Sequence, residues 1–511
     1  MANQASTSRR SQGKPRDADV PTFCTWPAHP ERENEQKPQG KHTGEQEISE
    51  RARYEQSSFA PSTIFGSGSV SGRTRYTRDA HSTAYTATNQ SERGGREDMA
   101  SVYSYNSSRD ASQFVKEVHG RMFNSLNEAY LLPSDEKEWG RLDKQGSAMT
   151  VSFDGHLYPC ADVVEAILDP STPGEKRILD LGCGTGGWAI DMATKFPHAV
   201  VTGVDVAPTP LDMDTLPPNL SFEIDDVNLG LEHFHNQFDL VHMRCVMGGI
   251  TDMDKTLRDI QLCLKPGGIL IVIDGDQYLY EDKQRFFKIA SVPGDREGGL
   301  ADPKGSWLCR MIWEACEACV MAGSGMPRSR EIIELGLWDS DLCDPVTASA
   351  GCVFFPVGPW ARGKDLAETQ MLQYVGVLMR QVFLNIHRAY HGILRKHGVP
   401  QATLDQWSKL VDIELNQSIR KLWVRFMYCC ARRRSPDGGP APPLPVPSPP
   451  VNNDPSQTRE GRPSGEEIVY PEKEIYTSPE QARAKREQRL ATMGFVPSSV
   501  ARTSFAAMNQ I

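Results

Sequence analysis

The 511-residue sequence predicts an α/β fold in which helices cover both faces of a parallel sheet. Three observations carry that expectation. Short apolar runs over 177–181, 200–205, 220–224, 238–243 and 269–273 alternate with helical or loop segments. The turn Gly182-Cys-Gly-Thr-Gly-Gly187 directly follows the first run and opens a helix. Hydrophobic residues make up 39% of the chain and are depleted at both ends, so the folded unit is shorter than the chain.

In chain order, residues 1–110 are rich in Ser, Thr, Gln, Arg and Gly and lack an apolar period. Such a segment buries too little surface to offset its ordering entropy, which predicts a disordered arm that serves as a solvated tail or a partner-binding, phosphorylatable region. A folded domain is expected over 111–434, with a core at 176–275, a helical cap at 277–340, and C-terminal strands and helices at 345–434. Phe114, Val115, Val118, Met122 and Phe123 read as one helix, and Val163, Val164, Ile167 and Leu168 as another. Asp135 and Glu138 have the spacing of an N-cap answered three residues on. A late strand is expected over 347–357, then a helix over 366–396 ended by Gly398 and Pro400. A further helix is expected from Thr403, with Gln406 completing a capping box, to Cys430. Residues 435–511 read as a Pro-rich disordered tail decorated by one exposed helix, Pro479–Met493.

The net charge of −10 gives no global case for nucleic-acid binding. No run approaches the ~20 apolar residues of a membrane span, and no charged-then-apolar leader opens the sequence. The 12 cysteines show no disulfide spacing, and Cys316-Glu-Ala-Cys319 reads as buried thiols on a helix in preference to a metal site. A reducing compartment, cytoplasm or nucleus, is the expectation.

The glycine turn by itself fits a dinucleotide as well as any other nucleoside ligand. Asp180 narrows the choice, because a carboxylate there repels a pyrophosphate and stabilises an ammonium. Asp205, at the tip of the second strand beside Val206, suits both hydroxyls of a ribose. Asp226, with Asp225 as its alternate, suits the exocyclic amine of adenine while Val227 packs on the ring; either Asp also reads as a helix N-cap. His242 reads as satisfied within the sheet edge, in preference to a group that polarises a substrate or contacts a carboxylate in the cleft. Arg244 reads either as a contact to a carboxylate in the cleft or as a partner of Asp252 or Asp254. Asp274 and Asp276 read as solvated loop carboxylates or as acid–base groups at the mouth of the site, Trp307, Met311, Trp313 and Met321 as core in preference to a substrate box, and Arg432–Arg434 as a basic helix end, a nuclear signal or a phosphate contact.

With Leu264-Lys-Pro-Gly-Gly-Ile-Leu270, these residues resemble the motif series of class I S-adenosylmethionine-dependent methyltransferases, from about residue 130 to 430. Four stretches are similar to the fungal LaeA-like group of secondary-metabolism regulators. They are Leu132-Pro-Ser-Asp-Glu through Arg141-Leu-Asp, Gly184-Thr-Gly-Gly-Trp-Ala-Ile190, Phe238-Asp-Leu-Val-His-Met-Arg244 and Gly275-Asp-Gln-Tyr-Leu-Tyr-Glu-Asp282. Where that group often has Gln-His, this sequence has Gln145-Gly146. The resemblance implies a Rossmann-like sheet with a helical lid and S-adenosyl-L-methionine as cofactor. Its binding set would be Asp180, Gly182, Cys183, Gly184, Thr185, Gly186, Asp205, Val206, Asp225, Asp226, Val227 and Arg244. No metal is implied, and no catalytic residue is assigned.

The sequence lacks the Asn/Asp-Pro-Pro-aromatic signature of base methylation and a paired-glutamate loop for arginine. The expected function is therefore methyl transfer to an unidentified acceptor, a small metabolite or a protein. The alternative is a cofactor-binding regulatory scaffold acting through protein partners of its arms. An NAD(P) oxidoreductase is disfavoured by the absence of a hydride-site Tyr-x-x-x-Lys.

Overall fold

The computed structural model describes residues 103–104, 113–283, 286–290, 305–444 and 473–492. A sheet runs through the domain in the order β1 (Tyr103–Ser104), β6 (Leu220–Ile224), β5 (Ala199–Asp205), β4 (Lys176–Leu181), β7 (Phe238–Arg244), β8 (Leu264–Lys283), β11 (Leu422–Arg432), β10 (Ser349–Pro356), β12 (Glu474–Tyr476). A short strand, β9 (Phe286–Ile289), folds back on β8. The five strands from β6 to β8 are parallel, and β11, β10 and β12 pair antiparallel beyond them. The chain leaves β4 toward β5 on one side, while β7 and β8 lie on the other. That reversal of strand order between β4 and β7 is where α/β sheets open a ligand cleft.

Alternate residues of each strand go to opposite faces. Ile178, Val201, Leu240 and Ile271 join a core with α3 (Gly187–Lys195), α5 (Trp307–Met321), α7 (Leu366–Ala389), α8 (His391–Lys396) and α9 (Gln401–Asn416). Leu179, Val204, Val241 and Leu270 join another with α4 (Met253–Cys263), α6 (Met326–Leu335) and α10 (Pro479–Thr492). Both faces of the sheet are thus covered.

Over the cleft lies α1 (Glu136–Ser152), capped by the Asp135 side chain, which accepts from Glu138 N–H at 3.2 Å. The expected cap spacing is therefore the actual helix start. The second expected helix is α2 (Ala161–Ile167).

Several expectations are corrected. Phe114–Phe123 is no helix but a hairpin of β2 (Val115–Val118) and β3 (Arg121–Asn124), because His119 and Gly120 both take positive φ and turn the chain in two residues. The helix expected to reach Cys430 ends at Asn416, and 422–432 is a strand buried along its whole length. A continuous apolar run buried on both faces carries no period that separates strand from helix. The helix itself starts after Pro400 and not at Thr403. The cap expected over 277–340 begins as strand, since β8 continues to Lys283 before α5 and α6.

Arg432 and Arg433 are no solvated helix end. They brace the sheet through the carbonyls of Gly267 and Leu262, both at 3.0 Å. In the tail, β12 adds to β10 and α10 buries Ala482 and Arg489, so this helix is packed and not merely decorative. Contrary to the expectation that no cysteines pair as disulfides, Cys160 and Cys430 are joined, whereas Cys316 and Cys319 are free thiols as expected.

Candidate cofactor cleft

The cleft lies at the C-terminal ends of β4, β5, β6 and β7 and spans about 890 Å³, part of it open to solvent. Each of those strands delivers one charged side chain to it: Asp180, Asp205, Asp225 and Arg244. Its floor is Gly182 to Thr185 of the glycine turn; Gly186, expected in the binding set, does not line it. Gly182 has φ +71°, and a Cβ there would stand 2.3 Å from Val246 Cγ2. Gly186 has φ +75°, and a Cβ there would meet Phe222 Cζ at 2.7 Å. Both a left-handed backbone and a bare Cα are required at these two positions. Gly186→Ala is accordingly expected to cost at least ~1–2 kcal/mol from the left-handed backbone alone, more with the Phe222 contact, which urea unfolding would measure.

Asp180 is 2% exposed. Its Oδ1 accepts from His242 Nδ1 at 2.8 Å, and its Oδ2 is buried without a hydrogen-bond partner. Burial depresses the His242 pKa, so the imidazole is a neutral donor that orients Asp180 without cancelling its charge. The ring stacks on Trp188 with centroids 3.8 Å apart. His242 works behind Asp180 through Nδ1, while its Nε2 is buried without a hydrogen-bond partner, so the expectation of a satisfied histidine holds for one ring nitrogen only.

Asp205 accepts from Gly184 N–H at 2.8 Å and from Ala207 N–H at 3.1 Å, tying the glycine turn to the end of β5. Burial pushes its pKa up to about 6, against the pull of those two amides. Asp226 does serve as a cap: its Oδ1 accepts from Asn228 N–H at 3.0 Å and from Asn127 Nδ2 at 3.2 Å. That leaves Oδ2 for a ligand. Asp225 accepts from Asp226 N–H at 2.8 Å, and burial raises it to about 6. Cys183, Gly184, Thr185, Val206 and Val227 line the same cleft.

Arg244 does not pair with Asp252 or Asp254. Asp252 caps α4 through Lys255 N–H, and Asp254 holds Arg328 at 2.9 Å. The Arg244 guanidinium instead lies against Gly146, where a Cβ would be 3.3 Å from Nη2. The Gly in place of the group's usual His thus makes room for this cation.

Residues the sequence reading left out complete the cleft: Asn127, Tyr130, Leu142, Gln145, Gly146, Cys245, Val246 and Gly249. The Arg-Leu-Asp stretch, noted only as a resemblance, acquires physical roles. Arg141 is buried in an ion pair with Glu138 at 2.7 Å, Leu142 covers Gly184, and Asp143 accepts from Thr185 Oγ1 at 2.8 Å. The lid helix α1 is thereby latched to the glycine turn. Among the described residues no cluster of His, Cys, Asp and Glu could hold a metal ion, and no helix is long and apolar enough to cross a membrane.

An orphaned carboxylate oxygen, a facing guanidinium and two further carboxylates at the ends of β5 and β6 fit an adenosyl amino acid. Ammonium, carboxylate, ribose and adenine each find a complementary group. The residues therefore define a class I methyltransferase domain with an S-adenosylmethionine cleft. The comparisons agree: the family model described as a methyltransferase domain matches residues 174–297. The secondary metabolism regulator laeA of Coprinopsis cinerea is 40% identical over 177 residues, covering 34% of this chain and 43% of that protein. The protein-methionine methyltransferase laeA of Emericella nidulans is 35% identical over 177 residues, 34% and 44% of the two chains. Methyltransferase pytC of Aspergillus terreus is 28% identical over 260 residues, 50% and 70% of the two.

The match spans less than half the length of those laeA relatives. Among solved structures, Haemonchus contortus phosphoethanolamine N-methyltransferase 2 with S-adenosylhomocysteine is similar at 16% identity. It covers 57% of this chain and 58% of that one, with a TM-score of 0.28, too low to decide anything further.

Proposed function

We propose that the chain is an S-adenosylmethionine-dependent methyltransferase acting in the regulation of fungal secondary metabolism. The observation that carries the reading is the unpartnered, buried Asp180 Oδ2 within the cleft that Arg244 also lines. A buried carboxylate oxygen without a donor costs stability unless a ligand supplies one, and an ammonium is the donor that a carboxylate favours most. A pyrophosphate would meet repulsion from Asp180, Asp205 and Asp225 together.

When bound, S-adenosylmethionine supplies a methyl group made electrophilic by its sulfonium. The protein's part is to hold that cofactor, align the acceptor and exclude water. Asp205 and Asp226 grip the nucleoside, Asp180 and Arg244 the amino-acid end, and the α1 latch through Asp143 and Thr185 closes the site. Relatives that carry the names of a regulator and of a protein-methionine methyltransferase support a role in regulation.

Calorimetric titration with S-adenosylmethionine, S-adenosylhomocysteine and NAD tests the reading. The first two are expected to bind and NAD not; NAD binding without S-adenosylhomocysteine binding would overturn it. Asp205→Ala is expected to weaken S-adenosylhomocysteine about tenfold or more, about 1.4 kcal/mol.

A further inference from the structure

A second cavity, spanning about 1110 Å³ with part of it open to solvent, adjoins the cofactor cleft, and Tyr130, Leu142, Gln145 and Cys245 line both. Its far wall is apolar and comes from α5, α7 and α8, with Ile312, Ala315, Met379, Val382, Phe383 and Ile393 all buried. Its polar groups gather toward the shared end. Gln145 Nε2 donates to Cys245 Sγ at 2.9 Å, and Cys245 holds φ +60°, a strained backbone for a side-chain-bearing residue.

Asp274, expected to be a solvated loop carboxylate, is 7% exposed and lines this chamber. It accepts from Met247 N–H at 3.0 Å and Gly275 N–H at 2.7 Å. Asp276 is likewise buried and is engaged by Arg425 at 2.6 Å and Tyr280 at 2.5 Å. The chamber's arginine, Arg141, is occupied by Glu138 at 2.7 Å. Of the residues expected as core, Met311 is buried but Met321 is 67% exposed at the helix end, and neither they nor Trp307 and Trp313 line the wall, which takes Ala315, Cys316 and Cys319 from the same helix.

Resting on the methyltransferase reading above, we propose that this chamber is the acceptor site and takes an uncharged, largely apolar small molecule bearing a hydroxyl. The molecule fills the α5–α7–α8 wall and presents its oxygen between Tyr130, Gln145 and Cys245, where the two cavities meet. The new bond forms from that oxygen to the methyl carbon as the carbon–sulfur bond breaks. The hydroxyl proton passes to the Asp274 carboxylate, and S-adenosylhomocysteine and a methyl ether leave.

The charge pattern selects this class. An anionic acceptor meets two carboxylates and an arginine already paired, and a peptide or nucleic-acid strand does not match an apolar chamber roofed by helices. Burial raises the Asp274 carboxyl to about 6, near the range in which a proton acceptor works best at neutral pH. Burial also pushes the Cys245 and Cys316 thiols up to about 12 and Cys319 to about 11. They stay protonated and do not compete as nucleophiles.

The test uses the full chain saturated with S-adenosylhomocysteine and 2-naphthol as probe, followed by naphthol fluorescence. Saturable binding is expected, at least ~10-fold tighter than naphthalene, which lacks the hydroxyl. Ala315→Trp, which fills the wall, is expected to lose 2-naphthol binding at least ~10-fold with S-adenosylhomocysteine affinity unchanged. Ile386→Phe, at a half-buried lining position, is the milder companion should Ala315→Trp fail to fold. With S-adenosylmethionine, wild type is expected to yield 2-methoxynaphthalene, and Asp274→Asn to lower that rate at least ~100-fold while 2-naphthol binding holds within about threefold.

Absent 2-naphthol binding, binding indifferent to the folded chamber variants, or methyl transfer from S-adenosylmethionine to a protein substrate but not to 2-naphthol would overturn the proposal. The S-adenosylhomocysteine titration reads the cofactor assignment separately, so failure of one is distinguishable from failure of the other.

Discussion

Asp180→Asn is expected to weaken S-adenosylhomocysteine about 30-fold, about 2 kcal/mol, while 5′-methylthioadenosine, which lacks the amino-acid end, binds within about twofold of wild type. The substitution keeps shape and keeps an acceptor for His242 Nδ1, which lies 2.8 Å from Asp180 Oδ1. What changes is the other oxygen, now buried and unpartnered. As a carboxylate it receives the ligand's ammonium in a charge-assisted bond worth about 1.5–3 kcal/mol. As an amide it offers either a neutral oxygen or an NH2 that opposes the ammonium. Because burial keeps His242 neutral, the wild-type charge is not already spent on the imidazole. Calorimetry with both ligands on both proteins measures the effect. Equal weakening of the two ligands would show that Asp180 supports the turn and not the ammonium.

The strand ends that place Asp180 and Asp205 were legible because the strands are short, β-branched runs followed by turn chemistry, a local signal. The rest of the cleft was not. Asn127 reaches Asp226 across 99 positions and Gln145 reaches Cys245 across 100, and no local pattern encodes such contacts. The Arg-Leu-Asp stretch did carry a signal, but only its placement over the turn shows that Asp143 is a latch for Thr185. In the fold, 422–432 failed as a helix because the strand is buried on both faces and so lacks a period of two. That one misreading hid β11, which joins the expected late strand β10 to the parallel half of the sheet, and with it the ion-pair network of Arg425 that α10 completes.

Glu334→Gln is expected to lower unfolding free energy by about 3–5 kcal/mol, the usual cost of removing one partner from a buried ion pair. Glu334 is 8% exposed and accepts from Arg425 Nη1 at 2.8 Å and from Arg489 Nη2 at 2.8 Å. Arg489 belongs to α10, and Arg425 also holds Asp276 on the wall of the second cavity. Without the carboxylate, Arg425 keeps Asp276 and Arg489 keeps Glu474, but the two guanidiniums lose the charge between them, and α10 loses the Arg489 and Arg486 contacts to Glu334 of α6 while keeping Arg486–Glu331. The two guanidiniums hold the Glu334 carboxyl down to about 2, below its ordinary 4.5. That difference corresponds to about 3 kcal/mol at neutral pH. Since the folded value is the lower one, this stability is fully present above 4.5 and is lost as pH falls toward 2.

Asp205 and Asp274, each raised to about 6, act with the opposite sign. The folded state binds their protons more tightly, so stability declines as pH rises from about 3.9 through 6. Urea unfolding from pH 3 to 7 should therefore show wild type most stable at about pH 4, where the two windows meet. Glu334→Gln should lose the fall on the acid side and keep the decline toward neutrality. An unchanged acid limb in Glu334→Gln would mean that the network does not hold that carboxyl down. Loss of α10 protection in hydrogen exchange, with the parallel half of the sheet intact, would place the damage at the tail contact.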